Sequence, residues 1–214
     1  MARPKKQPGE PDVRQRIGDA CWELLETRHL RDMTVGDVTD RARCNRGTFY
    51  YYYTDLNDLV SSVLERELTA DGSWPAAVFR LTAGQEPSEN WQKSVRSIER
   101  VRLVMDRGGM GLVLAKTLEV AMRMWTTVLC PDGSPLKEEA RLAIEYSVSG
   151  TLGLLALAGA TKSGGTDAYR PALMFLQSNA WFLLDKISAA QNVSENELRA
   201  RLAIVARIAE STKP

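Results

Sequence analysis

Three observations predict an all-α fold for this chain of 214 residues. Apolar residues recur at three- and four-residue spacing, no stretch alternates at period two, and glycine and proline gather in short clusters that punctuate the helical runs. Composition bounds the rest: 44% hydrophobic and 26% charged residues are ordinary globular values, which excludes a wholly disordered, collagenous or membrane-integral chain. The length suits one large core, or a small domain fused to a larger one.

The elements follow in order. Pro4, Pro8, Gly9 and Pro11 break residues 1–11, where Arg3, Lys5 and Lys6 outweigh Glu10, predicting a flexible basic arm. From Asp12, an expected N-cap, the residues Val13, Ile17, Ala20, Cys21, Leu24 and Leu25 mark one face of a first helix ending near Thr27. Thr34 then precedes Val35-Gly36-Asp37, a capping-box start with Asp37 at the third helical position, and Val35, Val38 and Ala42 share a face. This second helix is barely two turns long. Asn45 is placed to cap a third short helix through Gly47, Thr48 and Phe49 to about Tyr52, and a fourth begins near Leu56, carried by Leu59, Val60, Val63 and Leu64. Gly72, Pro75, Gly84 and Pro87 predict a loop or broken helix that separates an N-terminal unit, residues 12–66, from a larger one, residues 67–214.

In the larger unit, helices are expected from Ser88 to about Asp106, Leu112 to about Leu129, Pro135 to about Ala160, Asp167 to about Ala189, and Glu195, capped by Ser194, to about Glu210. The breaks are Gly108-Gly109-Met110-Gly111, Pro131-Asp132-Gly133 and a loop at 161–166. Between Asp167 and Ala189, Leu173, Met174, Phe175, Leu176, Ala180, Trp181, Phe182, Leu183, Leu184 and Ile187 occupy more than one face. A helix apolar all round must be covered on two sides, so a second copy of the chain is the expected partner. Gly150 with Gly153 would permit close helix approach.

Several kinds of chemistry lose support. His29 is the only histidine, so catalytic triads and multi-histidine metal sites have little to build on. Cys21, Cys44 and Cys130 are odd in number and far apart, which suits a reducing cytoplasm and forms no zinc motif. An enzyme would have to use carboxylates and tyrosines alone, such as Glu119, Glu145 and Tyr146, and no spacing singles these out. The expectation is a protein that is not an enzyme and has no cofactor or metal. No apolar segment follows the polar N-terminus and the stretch from Val148 to Ala160 is too short to span a bilayer, so a cytoplasmic location without membrane contact is expected.

The informative stretch is Val35 to Tyr53, where a short helix, a tight connection and a second short helix follow a longer packing helix, the pattern of a helix-turn-helix. The net charge is only +1, so any nucleic-acid binding must come from a local patch. One exists: between Arg41 and Tyr53 stand Arg41, Arg43 and Arg46, no acid, and the hydrogen-bonding residues Asn45, Thr48, Tyr50, Tyr51, Tyr52 and Tyr53. Arginine suits guanine edges and phosphates, hydroxyls suit phosphate oxygens, and Gly47 lets the backbone come close to a groove floor. Four aromatics in a row also have high β propensity, so a hairpin or a core aromatic cluster is the competing reading of the tyrosine run.

At these residues the chain resembles the tetracycline-repressor (TetR) family of bacterial transcription regulators. The run Ala42-Arg43-Cys44-Asn45-Arg46-Gly47-Thr48-Phe49-Tyr50-Tyr51-Tyr52-Tyr53 is similar in register to that family's A-G-V-S-R-G-T-L-Y-Y-H-F pattern, with Thr34-Val35 at its upstream helix start. The resemblance is specific over about residues 12 to 66 and architectural beyond. It implies phosphate contacts from Thr34, Thr48, Tyr50 and Tyr51, groove contacts from Asn45, Arg46, Gly47 and Tyr52, and inward packing of Phe49 and Tyr53. Three positions depart from the pattern: Arg43 replaces the turn glycine and adds positive charge beside the DNA, Tyr-Tyr-Tyr replaces Tyr-His-Phe, and Leu56 replaces a phosphate-binding lysine. Asp55 and Asp58 flank Leu56, and acids there would weaken DNA binding.

What the resemblance implies overall is a homodimeric, ligand-responsive regulator, a repressor, whose partners are a double-stranded, pseudo-palindromic DNA operator and an unidentified small-molecule effector. The alternative from another class is a relative with weakened DNA binding that acts through a protein or ligand partner. In the larger unit, aromatic and methionine faces with interleaved polar groups nominate Trp91, Met105, Met122, Trp125 and Tyr146 as effector-binding residues.

Overall fold

The computed structural model describes residues 12–70, 73, 75, 91–160 and 169–211. Among these residues the regular elements are all helical: α1 (Val13–Thr27), α2 (Val35–Ala42), α3 (Arg46–Tyr52), α4 (Leu56–Thr69), α5 (Trp91–Val104), α6 (Met110–Leu129), α7 (Glu138–Ala160), α8 (Arg170–Gln191) and α9 (Glu195–Ser211). The expected arm at 1–11, most of the break between Asp71 and Pro87, the helix start at Ser88 and the loop at 161–166 lie outside the described residues. So do the side chains of Trp91, Leu173, Ala180, Trp181, Val205 and Ile208.

The predicted face of α1 is the buried one: Ile17, Ala20, Cys21, Leu24 and Leu25 all turn inward. Asp12 stands at the N-cap but its side chain makes no capping bond; only its carbonyl takes part, accepting from the Arg16 amide at 3.0 Å. Burial pushes the Cys21 thiol up to about 12, so it behaves as a small core hydrophobe rather than a nucleophile. A short 3-10 turn, Leu30–Asp32, links α1 to α2.

Two apolar clusters hold the helices together. The first runs without a break from α1 to α4 into Val95, Ile98 and Val101 of α5, Val113 and Val120 of α6, and Leu152 and Leu155 of α7. The second gathers Trp125, Val128 and Leu129 of α6, Ile144 of α7, Leu184 and Ile187 of α8, and Leu198 and Leu202 of α9. Helix α6 therefore belongs to both, and it packs on α4 at one side and α7 at the other.

Three boundaries differ from expectation. The glycine break is a single π turn, Met105–Gly109, in which Gly108 takes φ 90° and ψ 8°, while Met110 and Gly111 are already helical. Gly108 alone supplies the left-handed step, and Gly109 is needed because a Cβ there would come 2.6 Å from Val104 Cγ1. Helix α7 begins at Glu138 rather than Pro135: the Lys137 carbonyl accepts the first helical amide, from Arg141 at 3.0 Å, and Glu138 and Glu139 suit the positive end of the helix dipole. Helix α8 starts at Arg170 with a proline in its first turn and runs to Gln191, where Asn192 takes the left-handed conformation that stops it. Ser194 caps α9 as expected, accepting from the Glu197 amide at 3.2 Å. No helix among the described residues is long and apolar enough to cross a membrane.

Candidate nucleic-acid interface

Helices α2 and α3 are built by their caps. Thr34 Oγ1 accepts from the Asp37 amide at 3.1 Å, and the Asp37 carboxylate accepts from the Thr34 amide at 2.8 Å and its hydroxyl at 2.6 Å, a complete capping box. Arg28 reaches the same carboxylate at 2.7 Å. The Thr34 hydroxyl and amide, with Arg28 beside them, hold the Asp37 carboxyl below the usual aspartate range. Thr34 thus serves α2 first, its hydroxyl proton already committed.

The turn between the helices is a Schellman motif. The Arg43 amide donates to the Asp40 carbonyl at 3.3 Å and the Cys44 amide to the Thr39 carbonyl at 3.0 Å. Arg43 itself sits at φ 52°, ψ 50°, in the left-handed region where glycine is the usual occupant. Asn45 then caps α3, its Oδ1 accepting from the Thr48 amide at 2.8 Å and the Thr48 hydroxyl at 3.0 Å.

The tyrosine run is helical, not a hairpin. Phe49 is fully buried and Tyr53, just past the end of α3, is nearly so, with ring centroids 5.7 Å apart. Tyr50 is 57% exposed and Tyr51 81%, while half-buried Tyr52 sits edge-on to Tyr51 at 4.9 Å. Helical spacing separates these roles: Phe49 and Tyr53 anchor the short helix, and the rings between them are left facing outward or to the side.

Charge on this surface is unequal among the arginines. Arg41 pairs with Glu23 at 3.1 Å, whereas Arg43 and Arg46 have no ion pair among the described residues. The Arg46 guanidinium lies over the first turn of α2, where a Cβ on Gly36 would come 3.3 Å from its Nη2. Asp55 and Asp58 do not stand free beside them. Asp55 accepts from the Asp58 amide at 2.8 Å, and Asp58 accepts from the Thr54 amide at 2.8 Å, so both carboxylates cap α4 against the positive end of its dipole.

Among the described nominated effector residues, the later helices bring only Trp125 and Met122 into one cluster. Met105 is buried in the first cluster, Trp125 in the second with Met122 packed against it, and Tyr146 is 77% exposed on α7. The side chain of Trp91 is outside the described residues. Glu119 pairs with Lys116 at 2.6 Å and Arg123 at 3.4 Å, and Glu145 pairs with Arg141, so these carboxylates serve ion pairs.

What the sequence did not disclose is a seam between the first four helices and the later ones. Arg100 of α5 pairs with Glu67 of α4 at 2.7 Å and lies over the Trp22 ring of α1 at 5.3 Å. Arg123 of α6 reaches Glu65 of α4 at 3.0 Å, and Lys116 lies 3.7 Å from it. Arg107 donates to the Leu25 and Glu26 carbonyls that end α1. Every cation of this set comes from the later helices and every acceptor from the first four. Beside Arg107 an open cleft of about 830 Å³ is lined by His29, Leu30, Met33, Leu56 and Gly108. Contacts of this kind leave no local signature, because the partners are dozens of positions apart.

No protein-family model matches the chain, and no curated protein matches it either.

Proposed function

We propose that this chain is a homodimeric, DNA-binding transcription regulator of the tetracycline-repressor type, a cytoplasmic repressor that docks α3 in the major groove of a pseudo-palindromic operator. The observation that carries the reading is the α2–α3 unit: two capped short helices around a left-handed turn, Phe49 and Tyr53 inward, and Arg43, Arg46, Tyr50 and Tyr51 outward with no acid on α3. Asp55 and Asp58, whose charge would weaken DNA binding, both cap α4, and the positive end of that helix offsets part of their charge.

Support for a second copy comes from α7 and α8. Leu142, Tyr146 and Leu157 of α7 and Met174, Phe175 and Phe182 of α8 are large apolar residues left exposed, as a face that packs on another chain would be. Between Tyr146 and Leu157 on the same stripe stand Gly150 and Gly153, and among the described residues no other helix lies within 4 Å of where their Cβ atoms would be. No helix among the described residues makes use of that space; a partner helix crossing there would.

A small molecule bound among the later helices would release the operator by preferring the DNA-free arrangement. Thr117, buried in α6 with a hydroxyl that has no partner among the described residues, is a polar point such a ligand could meet, and the seam offers a route to α1 and α4.

The test is binding of the purified protein to DNA upstream of its own coding region at two salt concentrations, against unrelated DNA of equal length. Sequence-preferring binding that falls steeply with salt is expected, weakened by Arg46→Ala and by Tyr50→Phe, with base preference relaxed only by the arginine change. Lack of preference across a genomic DNA library would favour the partner-binding alternative.

A further inference from the structure

The caps of α3 decide which hydrogen-bonding groups are left for a partner. The Thr48 backbone amide can only donate, so the Asn45 carboxamide must turn its oxygen to it, and the Thr48 hydroxyl donates to that same oxygen. Asn45 therefore keeps only its Nδ2 donors. An asparagine reads adenine by accepting from N6 and donating to N7 together, and here the accepting half is spent.

The neighbours are one-sided in the same way. Arg43 and Arg46 are donors without an ion pair among the described residues, and from Arg41 to Tyr53 the chain has no carboxylate to accept from cytosine N4 or adenine N6. Thr48 is half-buried with its hydroxyl proton committed to Asn45, and the tyrosine phenols both donate and accept, so they discriminate little. Guanine is the base whose major-groove edge offers two acceptors, N7 and O6, side by side.

We propose that the α3 surface is a guanine reader: Arg43, Arg46 and the Asn45 amide present donors only, so the half-site carries guanines at the steps they face. This rests on the DNA-binding reading above and adds to it the base class of the operator.

The experiment is selection of random duplex DNA on the full-length protein, followed by binding to the selected duplex with its guanines replaced one at a time by 7-deazaguanine or by inosine. Guanine enrichment is expected in each half-site. 7-Deazaguanine, which lacks the N7 acceptor, should weaken binding roughly tenfold at the steps read, while inosine, which keeps N7 and O6, should bind nearly as well. Asn45→Ser keeps a capping oxygen and loses the amide donor, so guanine preference should fall at one step with thermal stability nearly unchanged. Arg46→Gln, which can both accept and donate, should shift one step from guanine toward adenine. Selected half-sites without guanine, or full tolerance of 7-deazaguanine, would overturn the proposal and leave DNA binding standing. A failure to enrich any sequence would overturn both.

Discussion

Arg107 Nε donates to the Leu25 carbonyl at 2.8 Å, joining the π turn before α6 to the last turn of α1 across 82 positions of sequence. Its Nη2 donates to the next carbonyl, Glu26, at 2.6 Å. The final carbonyls of a helix have no partner within it, and a guanidinium there both satisfies them and faces the negative end of the dipole. Arg107→Met should therefore destabilise the fold by about 2 kcal/mol, the scale of hydrogen bonds from a charged donor. Amide hydrogen exchange should quicken from Leu24 to Met33 and stay unchanged in α9. Unaltered exchange in that segment would show that the contact restrains nothing.

Arg43 holds a left-handed backbone at φ 52° with its guanidinium unpaired among the described residues. Arg43→Gly should raise stability by about 1 kcal/mol, because glycine adopts this conformation without the Cβ clash. The same change should lower affinity for operator DNA and relax base preference at the step Arg43 faces. Chemical denaturation and binding to duplexes substituted one base at a time read the two effects separately.

The Tyr53 hydroxyl is buried with no hydrogen-bond partner among the described residues. Removing an unsatisfied buried group while keeping the ring should stabilise, so Tyr53→Phe is expected to gain about 1 kcal/mol in urea unfolding with DNA binding unchanged. A loss of stability would mean that the hydroxyl has a partner.

Gly150 faces open space within its own chain. Gly150→Leu should leave the monomer folded, since leucine favours helix more than glycine does, and should prevent a partner helix from approaching. Sedimentation should shift from dimer to monomer with helical circular dichroism retained; an intact dimer would place the interface elsewhere.

Asp37 has its carboxyl held low, chiefly by the Thr34 hydroxyl and amide. A group whose folded value is depressed contributes stability above its unfolded value, and that contribution is lost as pH falls through the folded value. The α2 cap should therefore persist at neutral pH and fail only below about pH 4. Asp37→Asn should flatten the acid limb of a stability profile, and a carboxyl NMR titration should place the Asp37 midpoint below that of an unstructured aspartate.

The sequence by itself determined the local structure of residues 12–69. Thr34, Asp37, Asn45 and Ser194 act within three or four positions of themselves, so the caps and the ends of the short helices could be read from spacing, whereas the inward turn of Phe49 was implied only by the family resemblance, since spacing left the tyrosine run open between helix and hairpin. Asp12 failed as a side-chain cap because residue type permits a hydrogen bond without forming it. Only the tertiary structure decided what lay beyond that range. It divided Met105 from Trp125 between two clusters, left Tyr146 on the surface, and paired Arg107, Arg123 and Arg100 with α1 and α4. Helical periodicity names the buried face of an element but not the neighbour that buries it, and that choice is made by packing over the whole chain.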